Sequence, residues 1–416
     1  MTLIKTSILS AIATIVKILA GFVSVKIVAI YIGPSGLALM GQMQNFIGML
    51  SSVASGGINN GVIKYTAEHY DDEAVKQKIW NSALQISFVF LVPIGIVVVI
   101  FSDFISLKLL GTTKYSSIFV IFSTTVIFFV MNGLLTSILN GQKEIKILTL
   151  INIIGSLIGL VITVVLVTKY KIYGALLSGM ITQSVVFFVT LVFVIKRSWF
   201  KISLFTKKFD KKYIKKLLSF SAMTLVSATM IPLSHIAIRN YIGNYIGWDE
   251  AGYWQAIWRI SETYLMLITT TLSVYYLPKL SSIDDTKELR HEIFQGYKII
   301  LPITILMATI IYLLRDTIVM LLFTEEFSPM VELFLYQLLG DIVKIASWLF
   351  GFIMVAKAMT KLYILSEVFF IWSFVIIAIV LMNLYGLIGV TIAFLINYIM
   401  YAIFLYFALR GYLNDR

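Results

Sequence analysis

KILTLINIIGSLIGLVITVVLVTKYKIYGALLSGMITQSVVFFVTLVFVIKRSWFKISLFTKKFDKKYIKK, residues Lys146 to Lys216, carries two apolar runs back to back and then a basic tail. The runs, roughly 147–168 and 172–195, meet at the short corner Lys169-Tyr170-Lys171. Each has the ~20 residues that a helix needs to cross a hydrocarbon core of ~30 Å. Neither alternates polar with apolar, as a membrane barrel strand would. Backbone in lipid must satisfy its own hydrogen bonds, so the runs predict spanning helices. The tail, Lys196 to Lys216, holds nine basic residues. It reads as a linker on the inner leaflet, where anionic lipid attracts each basic residue by about 1 kcal/mol. A lipid-regulatory site is the alternative; an anchor of topology is the plainer reading.

The same pattern fills the chain. Of 416 residues, 59% are hydrophobic and 13% charged, against about 25% charged in soluble domains. Twelve apolar segments emerge, near 7–31, 37–63, 80–103, 116–140, 147–168, 172–195, 217–242, 251–277, 293–314, 330–356, 362–383 and 386–409. The run after Lys5 extends to about Ile32, too long for the core of a signal peptide, and is read as a first span. With the N-terminus inside, 22 of the 33 basic residues fall in inner loops, 5 in outer loops and 6 within spans. That asymmetry predicts an all-α polytopic membrane protein with both termini cytoplasmic. The net charge of +12 then belongs to loops facing membrane lipid, not to nucleic acid.

The two halves resemble each other. Ile32-Gly33-Pro34-Ser35-Gly36 follows the first span, and Ile246-Gly247-Trp248-Asp249-Glu250-Ala251-Gly252 follows the seventh. Lys143 and Lys146 separate spans 4 and 5 as Lys357 and Lys361 separate spans 10 and 11, and Tyr173-Gly174 is matched with Tyr385-Gly386. The offsets of 212 to 216 residues predict a duplicated six-helix unit. The domains expected are 1–196, a basic linker 197–216, and 217–416. Parallel repeats about an axis along the membrane normal suit a transporter with its substrate site between the halves.

Ionisable groups within spans are expensive and mark functional candidates. They are Lys17, Lys26, Arg239, Arg259, Lys298 and Lys344, with Glu262, Asp341 and Glu367 as the acids. The excess of positive charge suits an anionic substrate. Lys17 lies near mid-span without a local acid, whereas Lys26, on the opposite helix face, and Arg239 lie nearer an end and have the option of snorkelling. Lys298 and Glu367, close to the inner face, snorkel by default. Pro232 is expected to bend span 7 near His235 and Arg239. Arg259 with Glu262, and Asp341 with Lys344, are spaced i,i+3 on one helix face. Each is either a self-neutralised structural pair or an exchangeable one, in which a proton or Na+ frees the base for substrate. Asp341, Glu262 and the loop residue Asp249 are the ion-coupling candidates. Gln42, Asn59, Trp254 and Trp258 suit sugar by hydrogen bonding and stacking.

Other chemistry is disfavoured. There is no cysteine, and the three histidines are scattered, so no metal cluster is expected. No catalytic residue, metal or cofactor is assigned, a coupling H+ or Na+ excepted. Outer loops are too short for the catalytic domain of a membrane-bound polymerase or ligase, and no phosphate-binding glycine loop occurs. A small-molecule antiporter is the nearer rival. However, the loop KYTAEHYDDEAVKQK lacks the Gly-rich, Asp-Arg motif of the major facilitator type, and a drug exporter prefers cations.

GVIKYTAEHYDD (Gly61–Asp72), GWDEAGYWQAIWRISETYL (Gly247–Leu265), SVYYLPKLS (Ser273–Ser281), QLLGDIVK (Gln337–Lys344) and AKAMTKLYILSE (Ala356–Glu367) resemble, in order and spacing, the Wzx-type flippases of the polysaccharide transporter family. The likeness is to the O-antigen and enterobacterial common antigen (lipid III) branches, within the superfamily that includes the MATE exporters. It implies an inner-membrane protein moving undecaprenyl-diphosphate-linked oligosaccharide from the cytoplasmic to the periplasmic leaflet. It also implies two six-helix bundles, alternating access driven by an ion gradient, and polysaccharide polymerase and chain-length regulator proteins as partners. The diphosphate would need a basic site, for which Lys17, Arg239, Arg259 and Lys344 are the residues available.

Overall fold

The computed structural model describes residues 3–200, 210–283 and 285–414. Every regular element among them is helical. The helices are α1 (Leu3–Ala54), α2 (Asn59–Glu68), α3 (Glu73–Ile100), α4 (Ser102–Leu110), α5 (Ser116–Gly141), α6 (Ile145–Ile195) and α7 (Lys211–Tyr245). They continue with α8 (Trp248–Thr271), α9 (Leu277–Ser282), α10 (Thr286–Leu313), α11 (Arg315–Leu322), α12 (Phe334–Ala356), α13 (Thr360–Tyr385) and α14 (Ile388–Asn414).

Eight of the described helices are long and apolar enough to cross a membrane, or nine if the bent pair 211–219 and 224–245 counts as one span. Two of the eight are broken. In α1 the break is Gly33, at φ 62° and ψ −168°. Pro34 bars the residue before it from the helical region, and glycine alone adopts this backbone without strain. In α6 the break is Lys171, at φ 52° and ψ −129°.

Two expected segments end differently. The second, 37–63, stops at Ala54, because Gly56 and Gly57 both take positive φ before α2 begins at Asn59. The eighth, 251–277, is α8 followed by a π-helical turn, Leu272–Tyr276. α8 is too polar to count among the eight, since it carries Asp249, Glu250, Arg259 and Glu262. Within the stretch read as the basic linker, Lys211 opens α7; residues 201–209 lie outside the described residues.

Contacts divide the chain into two compact units: Met1–Ile32 with Leu39–Ile236, and Gly33–Ala38 with Ala237–Arg416. In the first, α5 packs on α2, α3, α4 and α6. Its core runs from Phe46, Phe119 and Phe122 to a second cluster around Ile79, Trp80 and Leu217. In the second, α12 is central, packing on α8, α10, α13 and α14.

The units repeat each other in backbone detail. Asp72 and Asp285 cap α3 and α10, each carboxylate accepting a backbone N–H three residues on, which satisfies an otherwise unpaired helix-end donor. Lys143 and Ala358 both adopt positive φ, at 58° and 53°. At the second reversal, Gly174 packs against the Leu166 carbonyl, and Gly389 packs against that of Leu381. The geometric register at this reversal is therefore 215, pairing Gly174 with Gly389; the tyrosine-glycine dipeptides, 212 apart, do not align.

Candidate functional site

The second unit brings most of the candidate charges together. On α12, Gln337, Asp341, Lys344 and Trp348 follow one another by four, three and four residues, which places them on one stripe of the helix. α8 presents Trp254, Trp258 and Ser261 with the same periodicity, and α14 presents Phe394 and Tyr398.

Asp341 is fully buried. Its Oδ2 accepts from Ser261 Oγ at 2.6 Å and from the Tyr264 hydroxyl at 2.8 Å, and its Oδ1 accepts from Gln337 Nε2 at 3.4 Å. A buried carboxylate needs such partners, because leaving it unsatisfied costs several kcal/mol. Lys344, one turn on, is half-buried and does not pair with it. Among the described residues no carboxylate oxygen lies within 4.0 Å of the Lys344 ammonium. The ammonium sits instead 5.6 Å from the ring centre of Trp258, 5.1 Å from Trp348, 5.9 Å from Phe394 and 5.9 Å from Tyr398. Each separation is within cation–π range. Gly340 makes room for this cage, since a Cβ there would meet the Phe394 ring.

Trp258 links the cage to two further charges. Its indole N–H donates to Glu262 Oε1 at 2.8 Å, and its ring lies 5.8 Å from Trp254 and 5.2 Å from Phe394. Trp254 in turn carries the Arg239 guanidinium, 5.4 Å from its ring centre. Arg239 is 1% exposed and donates to Gln255 Oε1. Arg259 is half-buried and Glu262 exposed; like Asp341 and Lys344, they approach no closer than 4.0 Å. Neither i,i+3 pair is thus a closed ion pair. Glu367 of α13 is half-buried.

The remaining candidates lie elsewhere. Lys17 is exposed on α1, Lys26 is half-buried, and Gln42 is fully buried, its Nε2 donating to the Ile236 carbonyl at 3.4 Å. Asn59 opens α2 beside Gly133. All four belong to the first unit. Lys298 is exposed, its ammonium 5.3 Å from the Phe294 ring. Asp249, in the first turn of α8, accepts the Ser35 backbone N–H at 3.1 Å. That contact stands on the close packing of Gly252 against Pro34, where a Cβ would strike the proline's backbone. Among the described residues no group of three or more His, Asp or Glu could hold a metal ion.

Sequence reasoning missed Ser261, Tyr264, Trp348, Phe394 and Tyr398. The stripe Gln337, Asp341, Lys344 and Trp348 could have been read from helical spacing; the α14 rings could not, since only packing brings α14 to α12.

A family model described as "Polysaccharide biosynthesis protein" matches residues 3–284. The lipid III flippase of Escherichia coli (strain K12) is 31% identical over 401 residues, 96% of each chain. Among solved structures, a multidrug resistance MATE family transporter of the MOP superfamily, inward-facing, superimposes with a TM-score of 0.82 at 14% identity, over 96% of this chain and 95% of that one. The lipid II flippase MurJ, in an inward closed conformation, gives 0.74 at 19% identity over 98% and 87%. These two likenesses define the fold.

Proposed function

The chain belongs to the polysaccharide biosynthesis protein family, and on that ground we propose that it is a flippase for undecaprenyl-diphosphate-linked oligosaccharide. The observation that carries this reading is the end-to-end match to the lipid III flippase. The second unit supports it with three positive groups: Arg239, buried beside the Trp254 ring, and Arg259 and Lys344, neither within 4.0 Å of a carboxylate oxygen among the described residues. A diphosphate is the anion such groups suit, and its polyprenyl tail stays in lipid. The protein acts as a transporter, with no bond of the substrate made or broken.

The finer picture is part of the same proposal. Twelve spans result when both halves of the broken α1 and α6 are counted, and α7 and α8 are added to the eight apolar helices. The recurring caps and reversals favour two six-helix repeats, 1–196 and 217–416, joined by the basic linker 197–216. The distribution of lysine and arginine favours cytoplasmic termini in a bacterial inner membrane. Movement by alternating access, driven by an H+ or Na+ gradient, and partnership with a polysaccharide polymerase and chain-length regulator complete the reading.

The test uses purified protein in liposomes containing an undecaprenyl-diphosphate oligosaccharide. The sugar should become inaccessible to an external glycan-modifying reagent only when the protein is present, and faster under an imposed gradient. Export of small cations without lipid movement would return the chain to the antiporters; a lengthened or transferred glycan would make it an enzyme.

A further inference from the structure

Aspartate and lysine one turn apart on a helix ordinarily pair. Here the pair is held open from both sides. Ser261 and Tyr264 of α8 occupy Oδ2 of Asp341, and Gln337 reaches Oδ1. The ammonium of Lys344 rests among Trp258, Trp348, Phe394 and Tyr398. Aromatic faces stabilise a cation without cancelling its charge. An ion pair would cancel it, and an arriving anion would first have to break that pair. The arrangement therefore keeps a half-buried positive charge available.

We propose that Lys344 is the group that receives the diphosphate, and that Ser261 and Tyr264 are positioning residues that keep Asp341 from neutralising it. The anion would meet the ammonium on a side that none of the four rings covers. This inference rests on the flippase reading and adds a residue and a guard to it.

Inorganic pyrophosphate binding to the purified full chain, followed by calorimetry, tests the proposal. Replacing a charge-assisted contact is worth about 1.5–3 kcal/mol, so Lys344→Gln should weaken binding at least about tenfold, while Lys344→Arg should hold it within about threefold. The double variant Ser261→Ala/Tyr264→Phe touches no anion, yet should weaken binding by a similar factor as Asp341 turns to Lys344. Adding Asp341→Asn to it should restore affinity, an outcome that a damaged fold would not give. A double variant that binds like the wild type overturns the guard; a triple variant that stays weak does the same. Wild-type protein that translocates the lipid but ignores pyrophosphate overturns the role of Lys344. Wild-type protein that moves no lipid at all overturns the flippase reading instead, so the two failures are distinguishable.

Discussion

Asp341 and Lys344 share one face of α12 and form no ion pair, because each is engaged by a different neighbour: Asp341 by Ser261, Tyr264 and Gln337, Lys344 by four aromatic rings. The separation leaves the carboxylate and the ammonium uncancelled by each other.

Asp341→Asn keeps the size of the side chain and removes its charge. Transport should lose its response to H+ or Na+ gradients, falling at least about tenfold under a driving gradient, which corresponds to ~1.4 kcal/mol. Flux measured in liposomes with either ion imposed decides it, and an unchanged response would remove Asp341 from the coupling path.

Gly174 and Gly389 should prove equivalent. A methyl group at either one strikes a backbone carbonyl, that of Leu166 or Leu381, which cannot swing aside as a side chain can. Gly174→Ala and Gly389→Ala should each cost about 1–3 kcal/mol, the usual penalty for overpacking. Similar falls in Tm for the two variants would support the repeat; a neutral result for one alone would argue against equivalent reversals.

Lys17 is exposed on α1, so Lys17→Ala should leave Tm within the range of surface substitutions, about ±0.5 kcal/mol. Translocation should nevertheless fall at least about tenfold if the residue meets the diphosphate. Full transport with normal expression would strike it from the site.

Asp249 accepts the Ser35 backbone N–H, a contact within the second unit that fastens the Gly33–Ala38 corner to α8. Asp249→Ala should cost about 0.5–1.5 kcal/mol of stability and leave the ion response intact. A lost gradient response with unchanged Tm would return Asp249 to the coupling candidates.

Hydropathy made the helical class legible, because a span must be long and apolar to satisfy its backbone in lipid. It faltered at residues 55–58. At residues 55–58, Gly56 and Gly57 take positive φ inside an apolar run. A repeat was readable in the sequence as an offset, but the register at the second reversal was not: dipeptides can drift by insertion, while Gly174 and Gly389 are held in place by the carbonyls they pack against.

The sequence by itself determined the all-helical class and the inventory of charge within the apolar segments, since both follow from local periodicity and composition. Only the tertiary structure decided which charges are paired. Spacing put Arg259 with Glu262 and Asp341 with Lys344; packing gave Asp341 to α8 and Lys344 to the rings of α8, α12 and α14, while Glu262 took Trp258, four residues back on its own helix. Helical spacing says which side chains are able to meet on one helix, but in a low-dielectric interior a neighbouring helix that offers better hydrogen bonds or an aromatic face wins the contact.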